Sequence, residues 1–198
     1  MRSNTYIKFE NFSKEKKGYL ETSQLLHAGF SNRQISFLEK EGYLEKICHG
    51  YYWLKSQDYN KPTDYMCIEA CLSAPNAVIC MESALYYHMI AHAEPAYLTV
   101  ATKRTDRSLL KMNFPVKRHY FSENHFDMGI TRKETEFGYY NIYDVERSIC
   151  DIIRLKSDVN FENIINLTRN ELQYERLLKY AKSLKVKQIY QTNQKIHL

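Results

Sequence analysis

The stretch from Gly29 to Leu54, GFSNRQISFLEKEGYLEKICHGYYWL, restricts the possible folds of this chain more than any other part of it. Ser31 is a typical helix N-cap, and Gly42 is a typical residue to end the helix that follows. Ile35 and Leu38 are three residues apart, so they lie on one face of that helix and predict its buried side.

Strand-like segments follow this helix and helical segments precede it. Tyr43–Lys46 and Tyr51–Leu54 have strand composition, with Cys48-His49-Gly50 as the tip between them. Thr5–Lys16 and a short segment capped by Thr22 are helical. The order helix, helix, helix, strand, wing, strand is that of a winged helix-turn-helix.

A polar linker at residues 54–64 separates this module from a region of mixed pattern. We therefore predict an α+β fold, with a winged helix-turn-helix at residues 1–56 and a second domain at 62–198 in which helices frame a small sheet. The helical segments of the second domain are Asp64–Leu72, Met81–Met89, the helix capped by Asp144 and the chain from Phe161 onward, and its strands are Tyr97–Thr102, Val116–Phe121 and Gly138–Tyr143.

Composition predicts a folded, cytoplasmic protein. Of the 198 residues 44% are hydrophobic, and no apolar run approaches the roughly 18 residues that span a bilayer. The five cysteines are an odd number among apolar neighbours, which favours reduced, buried thiols over a disulfide framework. The net charge of +5 permits nucleic-acid binding without requiring it.

The helix that begins at Ser31 is the predicted DNA-reading element, because the second helix of such a pair lies in the major groove. Lys46 and His49 at the wing are predicted to contact phosphates. The module carries 8 basic and 6 acidic residues, a balance that also suits a protein-interaction module. The predicted DNA-contacting positions on the helix are Ser31, Asn32, Arg33, Ser36, Phe37 and Lys40.

A second basic segment lies at residues 99–121, where Asp106 is the sole acid. Such a cluster either neutralises phosphates or forms a solvated strand edge, and the sequence leaves both interpretations open. The same holds for the chain from Arg176 onward, which has six Lys or Arg residues and no acid. The predicted DNA-binding residues of the segment are Lys103, Arg104, Arg107, Lys117 and Arg118.

Metal and cofactor sites are not predicted. Cys67 and Cys71 are four residues apart, as are His88 and His92, but these spacings are not those of common zinc motifs. Cysteines on an apolar helix face are usually core residues. No glycine-rich nucleotide loop occurs in the sequence.

An enzymatic role is not predicted either. The acids Glu134, Glu136, Asp144 and Glu146 are close in sequence, as in some nucleases. Asp144 is better interpreted as a helix cap, however, and Arg147 with Asp151 as a surface pair at i,i+4.

Three stretches in order resemble the AbiEi-type antitoxins of type IV, abortive-infection toxin–antitoxin systems. They are the opening stretch from Gly29 to Leu54, AVICMESALYYHMI with its Ser83-Ala84-Leu85-Tyr86-x-His88 core, and YNIYDVERSICDIIR. In the third stretch Ser148 replaces the usual threonine of a Glu-Arg-Thr-x-x-Asp pattern.

The resemblance implies an N-terminal winged helix-turn-helix that binds inverted repeats in double-stranded DNA and represses its own operon. It implies a second domain that counters a nucleotidyltransferase toxin without a stable complex, and no catalytic residues. We expect a monomer in solution that pairs on DNA, with basic residues of both domains contributing to binding. The alternative is a protein-interaction module that neutralises a toxin by direct contact without binding DNA.

Overall fold

The computed structural model describes residues 2–156 and 172–189. Of the helical segment predicted from Phe161 onward, residues 161–171 and 190–198 lie outside the described residues. Contacts divide the chain into two compact units, one formed by the described part of Met1–Pro75 with Leu109–Asn113 and Glu134–Tyr139, and the other by the remaining described residues. The α+β class predicted from the sequence is confirmed.

The first unit is built on a three-stranded sheet of order β1-β3-β2 with antiparallel neighbours. The sequence did not predict β1, because three residues are too few to show an alternating pattern. Its elements are α1 (Arg2–Ser13), β1 (Tyr19–Glu21), α2 (Thr22–His27), α3 (Asn32–Lys40), β2 (Leu44–Cys48), β3 (Tyr51–Leu54) and α4 (Tyr65–Ser73).

This unit extends past the predicted domain limit at residue 56, because α4 packs against β2. Buried Glu69 on α4 also binds Lys61, with 2.7 Å between the carboxylate and the ammonium. The hydrophobic core is formed by residues of α2, α3 and the sheet, including Leu25, Ile35 and Leu38, which are 0–2% exposed. The inward orientation predicted for Ile35 and Leu38 is confirmed.

The second unit contains a mixed five-stranded sheet of order β6-β5-β4-β8-β7. β5 is parallel to β6 and antiparallel to β4, and β4 is parallel to β8. The ends of β7 and β8 belong to the first unit. The elements are β4 (Val78–Ile79), α5 (Met81–Tyr87), β5 (Leu98–Lys103), β6 (Val116–Phe121), β7 (Ile130–Thr135), β8 (Gly138–Tyr143), α6 (Val145–Arg154) and α7 (Tyr174–Leu184).

Helix α6 is central to the second unit and packs against α5 and α7. Asp144 caps it by accepting a hydrogen bond from the backbone N–H of Arg147 at 2.8 Å, as predicted. Leu85 of α5 and Ile149 of α6 are buried in the hydrophobic core of this unit. None of the helices in the described part of the chain has the length and apolar character to cross a bilayer.

The ion pair of Arg147 with Asp151 is buried, so its assignment to the surface was wrong. The two side chains are 1% and 0% exposed and are joined at 2.9 Å. The guanidinium also donates to the backbone carbonyls of His125 and Met128 and lies 4.4 Å from the centre of the Tyr143 ring. Burial of this charge is possible because its donors are satisfied from several directions at once.

We predict that Arg147→Met lowers the free energy of unfolding by about 3–5 kcal/mol, since it leaves a buried carboxylate short of a partner. The measurement is urea denaturation of the purified protein. Arg154→Met is the matched control, because Arg154 also pairs with Asp151 at 2.8 Å but is 31% exposed, and we expect a smaller loss. Equal losses in the two variants would contradict the central role of Arg147.

Candidate nucleic-acid interface

The start of α3 is fixed by a reciprocal cap. The Ser31 hydroxyl accepts from the Gln34 backbone N–H at 3.3 Å, and the Gln34 side-chain carbonyl accepts from the Ser31 backbone N–H at 2.9 Å. The Gln34 amide also donates to Thr5 of α1 at 3.1 Å. The N-cap predicted at Ser31 is therefore confirmed, and its hydroxyl, though exposed, is engaged in holding the helix start in place.

The outward face of α3 is polar and continuous. Four predicted contact residues are exposed on it, and successive positions turn by about 100°, so the four fall within an arc of about 100°. The opposite face is closed by Ile35 and Leu38. The exposed residues are Asn32, Arg33, Ser36 and Lys40.

Phe37 does not belong to this outward face. It is half-buried, packs against the core of the first unit, and forms an edge-to-face contact with Tyr6 of α1 at 5.4 Å between ring centres. The outward orientation predicted for Phe37 is therefore corrected: α1 covers that flank of α3.

The β2–β3 hairpin exposes the other two predicted residues of the first unit, Lys46 and His49. Its tip is shorter than predicted, because β2 extends through Cys48 and leaves only His49 and Gly50 as the turn. Gly50 has a φ of +87°, which glycine adopts without strain. Its carbonyl accepts from the Thr22 backbone N–H at 2.8 Å, so the turn is tied to the start of α2.

Two of the acidic side chains near α3 are engaged within the unit. Glu41 accepts from the Tyr6 hydroxyl at 3.1 Å, and Glu45 pairs with Lys61 at 2.6 Å. Burial alone lowers the pKa of Lys61, but its contacts with Glu45 and Glu69 outweigh burial and raise that pKa above its ordinary value. Lys61 therefore stays charged at neutral pH and offsets the negative charge beside β2.

The basic residues of the second unit lie on the ends of β5 and β6 and the turn after β5. Arg104, Arg107 and Lys117 are exposed. Lys103 is 3.6 Å from Asp127, and Lys117 lies over the ring of Tyr97 at 5.2 Å. Because β6 is an edge strand, these side chains border the open side of the sheet.

Arg118 has an internal role that its sequence position did not reveal. Its guanidinium donates to the Thr102 hydroxyl at 2.8 Å, to the Ser108 carbonyl at 2.7 Å and to the Asp106 carboxylate at 3.2 Å. These bonds fasten the turn after β5 to β6. The prediction of Arg118 as a phosphate contact is therefore corrected to a positioning role for its neighbours.

The structure thus groups the candidate residues in two sets. The residues of α3 and the hairpin share the first unit, and the basic residues share the second. Sequence reasoning missed a groove of about 870 Å³ in the first unit, whose walls include Tyr6, Phe9, Tyr43 and Tyr59 with lysines such as Lys55. No motif marks this groove, because its lining comes from three separate parts of the chain: α1, Tyr43 before β2, and the segment that begins at Leu54.

The alternative chemical sites are occupied by structural contacts. Cys67 and Cys71 are buried and form no disulfide, and the His88 Nε2 atom is 2.8 Å from the Tyr143 carbonyl. Within residues 2–156 and 172–189, no three His, Cys, Asp or Glu side chains are grouped as a metal site would require. Of the clustered acids, Asp144 accepts from the Tyr180 hydroxyl at 2.9 Å and Glu146 from the Gln173 backbone N–H at 2.6 Å.

The Arg118–Asp106 contact gives a pH prediction. Burial raises the pKa of the Asp106 carboxyl, but hydrogen bonds from Ser108 and the charge of Arg118 outweigh burial and hold that pKa below its ordinary value. The ionised carboxylate therefore stabilises the turn above about pH 4, and this contribution is lost as pH falls through the lowered pKa.

In Arg118→Gln we expect the Asp106 pKa to rise towards its ordinary value, measured by carbon NMR of the carboxyl group. Lys117→Gln removes a charge from the next position on the same strand and should shift that pKa little. An unchanged Asp106 pKa in Arg118→Gln would contradict the positioning role.

Comparison with known proteins gives a likeness of fold. No family model and no curated protein matches the chain. Among solved structures, the crystal structure of the RV2827C protein from Mycobacterium tuberculosis is similar, with a TM-score of 0.63 and 14% sequence identity over 87% of this chain and 69% of that one. At this identity the similarity concerns the fold alone.

Proposed function

We propose that this protein is a DNA-binding repressor with a winged helix-turn-helix in its first unit, and that it serves as the antitoxin of a type IV toxin–antitoxin pair. The observation that carries the DNA-binding part is the polar arc of α3. A helix capped at Ser31, buried through Ile35 and Leu38 and polar on the opposite side fits the geometry of major-groove reading.

Readout of bases is assigned to the leading end of the arc. Arg33 has the chemistry to bond a guanine edge with two N–H groups, and Asn32 to bond an adenine edge. Ser36 and Lys40 follow on the same arc and are suited to base or phosphate contact. A good bidentate pair discriminates against the wrong base by about 1–3 kcal/mol.

The affinity for DNA is assigned to basic side chains that lie outside the polar arc of α3. Lys46 and His49 of the hairpin contact phosphates beside the site, and Arg104, Arg107 and Lys117 of the second unit contribute further phosphate contacts. An inverted repeat contains two half-sites of opposite orientation, and two copies of the protein bind one half-site each. Binding of this kind weakens steeply with salt because phosphate neutralisation releases counterions.

The antitoxin role has support from the three resembling sequence stretches. The toxin is proposed to be a nucleotidyltransferase, and this protein is proposed to counter it without forming a stable complex with it. The protein itself is proposed not to be an enzyme, and among the acids from Glu134 to Glu146, Asp144 caps a helix and Glu136 pairs with Lys17.

We predict that Arg33→Ala combined with Lys40→Ala abolishes sequence-specific retention of the upstream inverted repeat in a mobility-shift assay. Both side chains are exposed, so the fold should tolerate the change. Lys14→Ala with Lys16→Ala is the matched control, since it removes the same charge from exposed positions in the same unit. Equal retention by the two double variants would remove α3 from base readout.

A second candidate function is toxin neutralisation by direct contact, and the aromatic groove of the first unit favours it. Its volume lies in the range of binding clefts, and its walls combine apolar rings with lysines. Stable co-purification with the product of the neighbouring gene at high salt, without any shift of upstream DNA, would favour this function over repression. Repression predicts the shift and no such complex.

A further inference from the structure

In the part of the chain that the structure describes, β6 forms an open edge of the second sheet, and this edge carries an exposed aromatic ring that double-stranded DNA does not explain. Tyr120 of β6 is 56% exposed. One face of its ring lies 4.9 Å from the guanidinium carbon of Arg118. Arg118 is itself held by Thr102, Ser108 and Asp106, so the ring is supported from one side by a fixed charged group.

The same arginine positions the turn that carries two exposed cations. Arg118 fastens the turn after β5 through Asp106 and Ser108, and Arg104 and Arg107 belong to that turn. The backbone N–H of Arg104 also donates to the carbonyl of Phe121, the residue next to Tyr120, at 3.1 Å. The backbone of Arg104 is thus bonded to the residue next to Tyr120, and the side chains of Arg104 and Arg107 are both exposed on the turn at the end of β6.

A ring and a cation recur at the other end of β6. Lys117 lies over the ring of Tyr97, which is 39% exposed. Lys117 and Tyr120 are three residues apart, about 10 Å along the strand, and point to opposite faces of the sheet. Because β6 is the edge strand, both still border the open edge.

This chemistry discriminates between forms of nucleic acid. In a duplex the faces of the bases are covered by stacking, so a protein ring at the surface has no base face to contact. In a single strand the bases are available, and stacking on aromatic side chains beside a basic groove is the usual way of binding them. Exposed tyrosines next to arginines therefore match unstacked bases and their phosphates.

We infer that the edge formed by Tyr120, Arg104, Arg107, Lys117 and Tyr97 is a binding site for single-stranded nucleic acid, in which a base stacks on the open face of Tyr120. The turn arginines and Lys117 contact the adjacent phosphates, and Arg118 holds the ring and the turn in place. The fixed position of the ring lowers the ordering cost of binding. This site goes beyond duplex reading by α3 and does not depend on it.

The test is fluorescence anisotropy of the full chain with labelled oligonucleotides of about 12 residues, a length within single-strand site sizes. Single-stranded RNA, single-stranded DNA and the corresponding duplex are titrated in parallel at fixed salt. Tyr120→Ala should weaken single-strand binding roughly tenfold or more, which is the scale of one lost base stack. Tyr120→Phe keeps the ring and should restore binding.

Two controls separate this site from the rest of the chain. Tyr174→Ala removes another exposed tyrosine of the second unit, 38% exposed, and should leave binding unchanged. Arg33→Ala with Lys40→Ala should leave single-strand binding intact even where duplex binding is lost. The proposed operator function and this site therefore fail independently.

Binding of RNA and single-stranded DNA alike supports the site. Binding of RNA alone also supports it and indicates an additional contact with the ribose hydroxyl. The inference is overturned by absence of single-strand binding, or by equal single-strand affinity of Tyr120→Ala and the unaltered protein. Unfolding temperatures of the variants verify that the exposed substitutions leave the fold intact.

Discussion

The buried guanidinium of Arg147 is the interaction on which the second unit depends. It joins helix α6 to the carbonyls of His125 and Met128, which precede β7, and lies against Tyr143 at the end of β8. Such a group is costly to bury unless each donor is satisfied, so the elements that supply its acceptors must assemble together. One residue thus links a helix, a connection and a strand.

This linkage also determines what β6 presents to solvent. Phe121, its last residue, is buried, stacks on Tyr143 and lies near the guanidinium groups of Arg147 and Arg154. Because side chains alternate along a strand, the inward position of Phe121 turns Tyr120 to the other face. The orientation of β6 that places Phe121 against the buried Arg147 guanidinium therefore also exposes the ring of Tyr120. In the first unit, α3 is oriented by apolar contacts: burial of Ile35 and Leu38 leaves the polar arc on the exposed side of the helix.

Local sequence patterns predicted the parts of the structure that depend on local chemistry. Spacing and residue type within one element are enough to predict the Ser31 and Asp144 caps, the inward positions of α3 and the hairpin after it.

Three expectations failed because they depended on contacts with residues distant in the chain. Phe37 is covered by Tyr6, and Arg118 is engaged by the turn after β5. The i,i+4 spacing of Arg147 and Asp151 is the same on a surface as in a core, and the carbonyls that make burial possible lie about 20 residues earlier. The short strands β1 and β4 escaped detection because two or three residues show no period.

The most direct test of the proposal that the polar arc of α3 reads DNA is an NMR titration of the isotope-labelled protein with the DNA found upstream of its gene. Backbone amide shifts report contact residue by residue. We predict the largest shifts at Asn32, Arg33, Ser36 and Lys40, followed by Lys46 and His49 of the hairpin. Shifts confined to the groove beside Tyr43, or to the second unit with α3 unmoved, would contradict it.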